Sequence, residues 1–297
     1  MQNLEIAYLM LLRPKQWTKN LLVFAALLFV GGFHDSGQTL LALAAFAAMC
    51  LVSSATYIAN DIRDIDRDRR HPRKRMRPIA SGNVRVPAAA GVAIFCLVAG
   101  LALGFWIGPA AIVMIVAYLV LQIAYNAFLK QIPVADVFTI AVGFVLRAVL
   151  GAVAIDVRIS GWLLFCTGAL ALLLGFSKRR NEFLTIPEAN STRESLAHYT
   201  RSSLDILVAI FAGASAMCYG VYCLESETAK KYPGLIITSI FVFYGIARYV
   251  LIVFSKDEGA EPETLLYRDR HLLLSVVLFV VSAVLAINGL EVPFITS

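Results

Sequence analysis

Nine apolar runs, each about long enough to cross a bilayer, dominate this 297-residue sequence. They lie near 17–33, 39–60, 87–108, 109–130, 134–153, 160–177, 204–224, 234–254 and 271–292. A hydrocarbon core about 30 Å thick takes roughly 20 residues of helix, whereas a tilted barrel strand needs only about half as many. Inside lipid each segment must satisfy its own backbone N–H and C=O groups, so runs of this length select helices. Only 15% of the residues are charged, against about a quarter in a typical soluble domain. The runs leave no room for a separate soluble domain. The sequence therefore predicts an all-α integral membrane protein, a nine-transmembrane-helix bundle forming one polytopic domain over 1–297.

The cations set its orientation. Of 26 Lys and Arg, 21 fall before the first run (Lys19 just inside its start) or in the even-numbered loops. Arg158, Lys230 and Lys231 lie on the opposite side, and Arg147 and Arg248 lie within runs. The positive-inside rule puts the cation-rich side in the cytoplasm, with the chain in the inner (plasma) membrane. The formal charge of +6 is then a topology signal and calls for no nucleic acid. The short apolar stretch Ala7–Leu12 is followed by charge and lacks a cleavage site, which argues against a secretory signal. The five cysteines lie in apolar runs without a CxxC pair and read as small buried hydrophobes. The four histidines have no metal-ligand spacing, so no structural zinc site is expected.

One cation-rich loop also gathers acid. The second run ends ATYIANDIRDIDRD. On a continuing helix Asp61, Asp64 and Asp68 fall within an arc of about 60°, with Asn60 adding an amide oxygen at the membrane edge. Asp66 points off this stripe and reads as a solvated bystander. Grouped carboxylates need a positive partner, either nearby arginines or a metal. Hard oxygen ligands favour magnesium, which completes its shell with water and substrate phosphates. A loop held by its own arginines is the competing reading.

The same loop continues HPRKRMRPIASG. Arg73, Lys74, Arg75 and Arg77 can bind phosphate oxygens or can serve only topology and lipid headgroups. Lys178, Arg179 and Arg180 follow the sixth run, with Glu182 close by. Tyr125, Lys130 and Asp136 mark the boundary after the fourth run, and Lys15, Trp17 and Lys19 that before the first. These loops, near 60–86, 129–134, 176–203 and 255–270, are expected to share one cytoplasmic funnel. Arg147 lies on the order of 20 Å into its run at 1.5 Å per residue, where a cation costs about 2.5–3.5 kcal/mol. It is expected to pair with a buried carbonyl or carboxylate, and Arg248 to face a neighbouring helix.

Taken together, these residues resemble the UbiA-type superfamily of membrane prenyltransferases. Its motif N-D-x-x-D-x-x-x-D is filled here by Asn60, Asp61, Asp64 and Asp68. The sequence departs from that superfamily after the sixth run, where SKRRNE stands in place of a second aspartate-rich motif. Over RPKQWTKN (13–20), the stretch 52–82, SKR (177–179) and LLYRDR (265–270) it is similar to the decaprenyl-phosphate phosphoribosyltransferase branch. The resemblance implies Mg2+-dependent transfer of 5-phosphoribosyl from 5-phosphoribosyl diphosphate to a polyprenyl (decaprenyl) phosphate in the lipid bilayer. It implies Mg2+ at Asn60 and Asp64, helped by Asp61 and Asp68. Lys19, Tyr57, Lys74, Lys130, Lys178 and Arg179 are then expected on donor phosphates and hydroxyls, with Arg75 and Arg77 on the acceptor phosphate. Two alternatives are a prenyltransferase acting on an aromatic acceptor and a non-enzymatic polyprenyl-lipid transporter or binding protein. The sequence does not specify an oligomeric state.

Overall fold

A computed structural model describes residues 4–70, 74–185, 194–255, 265–266 and 268–289. Among the described residues the chain is helical, without strands. A short helix α1 (Leu4–Leu12) leads into a 3-10 stretch over Pro14–Val23 and then α2 (Phe24–Val30). The long α3 (Ser36–Arg63) and the short α4 (Ile65–Arg70) follow, then a hairpin of α5 (Val86–Ile107) and α6 (Pro109–Ala127). Next come α7 (Ala135–Ala154), α8 (Gly161–Thr185), α9 (Arg201–Glu225) and the short α10 (Glu227–Lys231). The chain ends with α11 (Thr238–Ser255) and α12 (Arg270–Ile287).

Among the described residues eight helices are long and apolar enough to cross a membrane. The first expected span, near 17–33, differs: it is built from the 3-10 stretch and α2 rather than from one helix. It still crosses, because it runs antiparallel to α3. Trp17 Nε1 donates to Ser54 Oγ at 3.1 Å, Asn20 Nδ2 to Ser53 Oγ at 3.3 Å, and the Phe24 and Phe46 rings stand 5.3 Å apart. A tighter helix rises about 2.0 Å per residue against 1.5 Å, so a shorter stretch covers the depth.

The irregular stretch survives in the membrane because neighbours meet its polar groups. Asn20 is fully buried; its Oδ1 accepts from Arg147 Nε at 2.8 Å, and its Nδ2 also approaches Cys50 Sγ at 3.3 Å. Arg147 donates further to Gly143 O at 2.6 Å and to Tyr118 Oη at 3.1 Å, with its guanidinium over the Tyr118 ring. The expected pairing with a carbonyl holds. Its partners among the described residues are neutral, so the cation is solvated by dipoles and aromatic faces. Gly151 lets the backbones meet here: a Cβ on it would lie 1.8 Å from Val23 O.

The long helices form a closed ring. In order, α3, α5, α6, α7, α8, α9, α11 and α12 pack each on the next, and α2 sits between α12 and α3. Helices α5 and α6 turn most of their surface outward to lipid. Their hairpin turns at Gly108, whose φ of 147° is open to glycine alone, followed by Pro109 at the first turn of α6. Alternating direction around the ring brings the C-terminal ends of α3, α6, α8 and α11 together with the N-terminal ends of α5, α7, α9 and α12. That end carries the expected site.

Candidate active site

The last turns of α3 and the short α4 present the expected acidic stripe. The helix breaks at Asp64 (φ −98°, ψ 15°), which the expected continuous helix did not include. Hydrogen bonds of helical spacing bridge the break, from Asp64 N to Asn60 O at 2.9 Å and from Asp68 N to Asp64 O at 2.8 Å. The stripe therefore keeps its direction. A single nitrogen, Arg77 Nη1, reaches both Asp61 Oδ1 at 2.9 Å and Asp68 Oδ2 at 2.6 Å.

Arginines neutralise the two buried members of the stripe. Asp61 and Asp68 are 4% and 2% exposed. Besides Arg77, Asp61 Oδ1 meets Arg13 Nη2 at 2.5 Å. The Arg13 guanidinium also lies over the Tyr57 ring, 5.2 Å from its centroid. Arg13, Asp61, Arg77, Met10, Met76 and Pro78 line a cavity of about 270 Å³. The expected metal set thus divides. Asp61 and Asp68 are ion-paired, as the competing reading of the loop would have it. Asn60 and Asp64 are half-buried and, among the described residues, make no side-chain hydrogen bond or ion pair. An amide oxygen and a carboxylate four residues apart, without side-chain partners among the described residues, fit a hard divalent cation. Among the described residues no three His, Cys, Asp or Glu side chains form a ready-made metal cage.

A second polar cluster joins α7, α8 and the segment before α9. Asp136 is completely buried, and its Oδ2 accepts from Arg179 Nε at 2.6 Å. Arg179 Nη1 donates to Glu182 at 2.7 Å. The Tyr199 hydroxyl donates to Asp136 Oδ1 at 3.4 Å and accepts from Val134 N at 2.5 Å. Burial pushes this phenol up to about 12, so it stays protonated. Val134 needs the support: its φ of 67° is rare for a β-branched residue. Next to this cluster, Arg180 Nε binds Asp205 at 2.5 Å and Nη1 donates to Val253 O at 2.9 Å, tying α8 to α9 and α11.

Arg179, expected on donor phosphates, stands in this ion-pair network: its side chain is 2% exposed and two carboxylates meet it. Burial this deep makes it a strut between helices. Lys19, Lys74, Lys130 and Lys178 are half-buried, and each makes a polar or electrostatic contact within the chain. Arg75 is exposed. The 3-10 turn holding Lys130 packs against the segment at 194–198. Arg63 donates to Asn126 O at 3.1 Å, joining the ends of α3 and α6. Arg248 meets Asp269 at 2.7 Å, so it faces a neighbouring helix as expected. Arg73 and Tyr267, along with 186–193 and 256–264, lie outside the described residues. Sequence reasoning missed Arg13 in the cavity and Asp136 and Asp205 as ion-pair partners. The placement of Arg13 at the end of an apolar run, directly before RPKQWTKN reaches its proline, was the signal available.

Comparison with known proteins agrees with this architecture. The model of the UbiA prenyltransferase family matches residues 20–262. The chain is 33% identical over 284 residues to the decaprenyl-phosphate phosphoribosyltransferase of Mycolicibacterium smegmatis, covering 91% of this chain and 89% of the relative. It is 34% identical to that of Corynebacterium glutamicum over 293 residues, covering 96% and 88%. A UbiA homologue from Archaeoglobus fulgidus bound to GPP and Mg2+ superposes with a TM-score of 0.72 at 20% identity, covering 95% of this chain and 99% of that one. At that identity the likeness speaks for the fold. The chain belongs to the UbiA prenyltransferase family, within the branch of the decaprenyl-phosphate phosphoribosyltransferases.

Proposed function

We propose that this multi-pass membrane protein transfers the 5-phosphoribosyl group of 5-phosphoribosyl diphosphate to a polyprenyl phosphate, releasing diphosphate. The observation that carries this reading is identity of about a third with relatives of that name over nine-tenths of both chains. The shared span includes the acidic stripe, the Arg77 loop and the cationic end of α8.

The residues suit the reaction. The new bond joins an acceptor phosphate oxygen to the anomeric carbon, and the bond from that carbon to the diphosphate breaks. Positive charge grows on the ribose and negative charge on the departing group. Mg2+, held by Asn60 and Asp64, would neutralise the leaving diphosphate. Arg77 supplies a guanidinium fork that matches phosphate oxygens. Lys19, Lys74, Lys130 and Lys178 stand at the same membrane boundary for the remaining phosphates and hydroxyls, with Tyr57 beside Arg13. Arg75 is exposed at the rim, where an acceptor headgroup arrives from lipid. The acceptor phosphate is an anion at pH 7 and needs no general base. Asp61 and Asp68 hold the Arg77 fork in place.

The distribution of cations supports an inner-membrane protein with this end in the cytoplasm, where a soluble donor is at hand. The apolar faces between helices take the isoprenoid tail. Diphosphate release by the purified protein tests the reading. Release should require Mg2+, 5-phosphoribosyl diphosphate and polyprenyl phosphate together. Robust transfer from a prenyl diphosphate to an aromatic acceptor instead would favour the other reaction of this fold.

A further inference from the structure

Arg13 stood in the sequence only as one of the cations that set topology. In the structure it is a wall of the cavity. We propose that Arg13 is a phosphate ligand of the donor site, parked on Asp61 until a metal-bound diphosphate arrives. The proposal rests on the donor-site reading above and adds a residue and an order of events to it.

Three observations carry it. Arg13 Nη2 and Arg77 Nη1 converge on one oxygen, Asp61 Oδ1, at 2.5 and 2.9 Å. Arg77 is shared with Asp68, so two guanidiniums balance two carboxylates and the cluster is neutral as it stands. A divalent cation approaching it alone adds charge that the guanidiniums oppose. A cation arriving with diphosphate brings its own oxyanions, and a guanidinium exchanges one planar oxyanion partner for another.

Exposure separates Arg13 from the structural arginines. Its side chain is 23% exposed at the cavity, whereas that of Arg179 is 2% exposed within its ion pairs. Arg13 can change partners without opening the core. The Tyr57 face beneath its guanidinium offers a surface on which the fork keeps contact as it turns. The backbone marks the residue as well. Arg13 adopts φ 55° and ψ 58°, left-handed and directly before Pro14, a conformation that persists only where surroundings enforce it. Helix α1 ends there and the 3-10 stretch begins, so the strained residue fixes the height of the fork against α3.

The proposal makes metal and diphosphate affinities move in opposite directions. Full-length protein in detergent is titrated with Mn2+ alone, followed by the free-ion electron paramagnetic resonance signal. Inorganic diphosphate at saturating Mg2+ is titrated by calorimetry. Arg13→Gln should bind Mn2+ alone roughly threefold or more tightly, because a guanidinium that opposes the ion is removed, and diphosphate roughly tenfold or more weakly, because a charge-assisted contact is gone. Unchanged diphosphate binding overturns the assignment. A loss of diphosphate affinity without a gain for Mn2+ contradicts the parking on Asp61, and so does a fall in both affinities. If Arg13→Gln does not fold, Arg13→Lys keeps the charge and should still lose roughly threefold or more in diphosphate affinity, since it lacks the fork; unchanged binding there overturns the proposal. The opposed shifts in a protein that transfers no phosphoribosyl group would refute the function above and leave the role of Arg13 standing.

Discussion

Arg179 Nε donates to Asp136 Oδ2 across 2.6 Å, joining the C-terminal part of α8 to the first turn of α7 with both side chains shut off from solvent. Such a pair is poor evidence of net stability, because desolvation offsets much of the attraction. Its breakage is another matter. Arg179→Ala leaves the buried Asp136 without this guanidinium, facing the Ser195 and Tyr199 hydroxyls at 3.4 Å. A loss of about 3–5 kcal/mol is expected, read as a lowered melting temperature in detergent. If Arg179→Ala melts like the parent and loses only donor affinity, Arg179 is a ligand after all.

Asp64→Asn should behave in the opposite way. Asp64 has no side-chain partner among the described residues, so the melting temperature should stay within about 1 °C, a shift that reports only a few tenths of a kcal/mol. Turnover should fall by roughly 100-fold or more, beyond the usual cost of losing a group that merely supports a ligand. Unaltered turnover would remove Asp64 from the metal site.

The contact between Gly151 and Val23 makes a packing prediction. Gly151→Ala puts a methyl where Val23 O now lies, and about 1–3 kcal/mol of overpacking cost is expected. Gly91→Ala, in α5 with nothing within 4 Å of its new Cβ, should be neutral or stabilise by up to about 1 kcal/mol. Paired thermal melts compare the two. Equal melting temperatures would mean that the composite segment yields easily.

Asp269 supplies the pH test. It lies just before α12; Arg248 holds its carboxyl down at about 2, with the Leu272 and His271 N–H groups helping. A carboxyl with a lowered value contributes stability that is fully present above about pH 3.9, its unfolded value, and lost as pH falls through about 2. The melting-temperature difference between the parent and Asp269→Asn should thus stay constant from pH 7 to about pH 4 and shrink below that. A difference that grows on acidification contradicts the assignment.

Much of this was legible in the sequence because it depends on local pattern. Run length gave eight single spanning helices, the spacing of Asp61 and Asp68 gave their shared face, and the depth of Arg147 announced a buried polar partner. The composite span was not legible, because hydropathy cannot tell 3-10 from α winding. What marks it is Pro14 before and the polar Lys19 and Asn20 within an otherwise apolar run. The ion pairs were hidden for another reason. Arg13 reaches 48 residues to Asp61, and Arg179 reaches 43 to Asp136, so only the fold reveals which cation is spent on a carboxylate. Arg179 and Lys178 look alike in a motif, and helix geometry separates them.

The most direct test is the mass of the lipid product. Purified protein is incubated with Mg2+, 5-phosphoribosyl diphosphate and decaprenyl phosphate, and the extracted lipids are analysed by mass spectrometry. The account predicts decaprenyl phosphate carrying one added 5-phosphoribosyl group, formed by the parent and absent with Asp64→Asn. An unmodified lipid in the presence of folded protein and both substrates would contradict it.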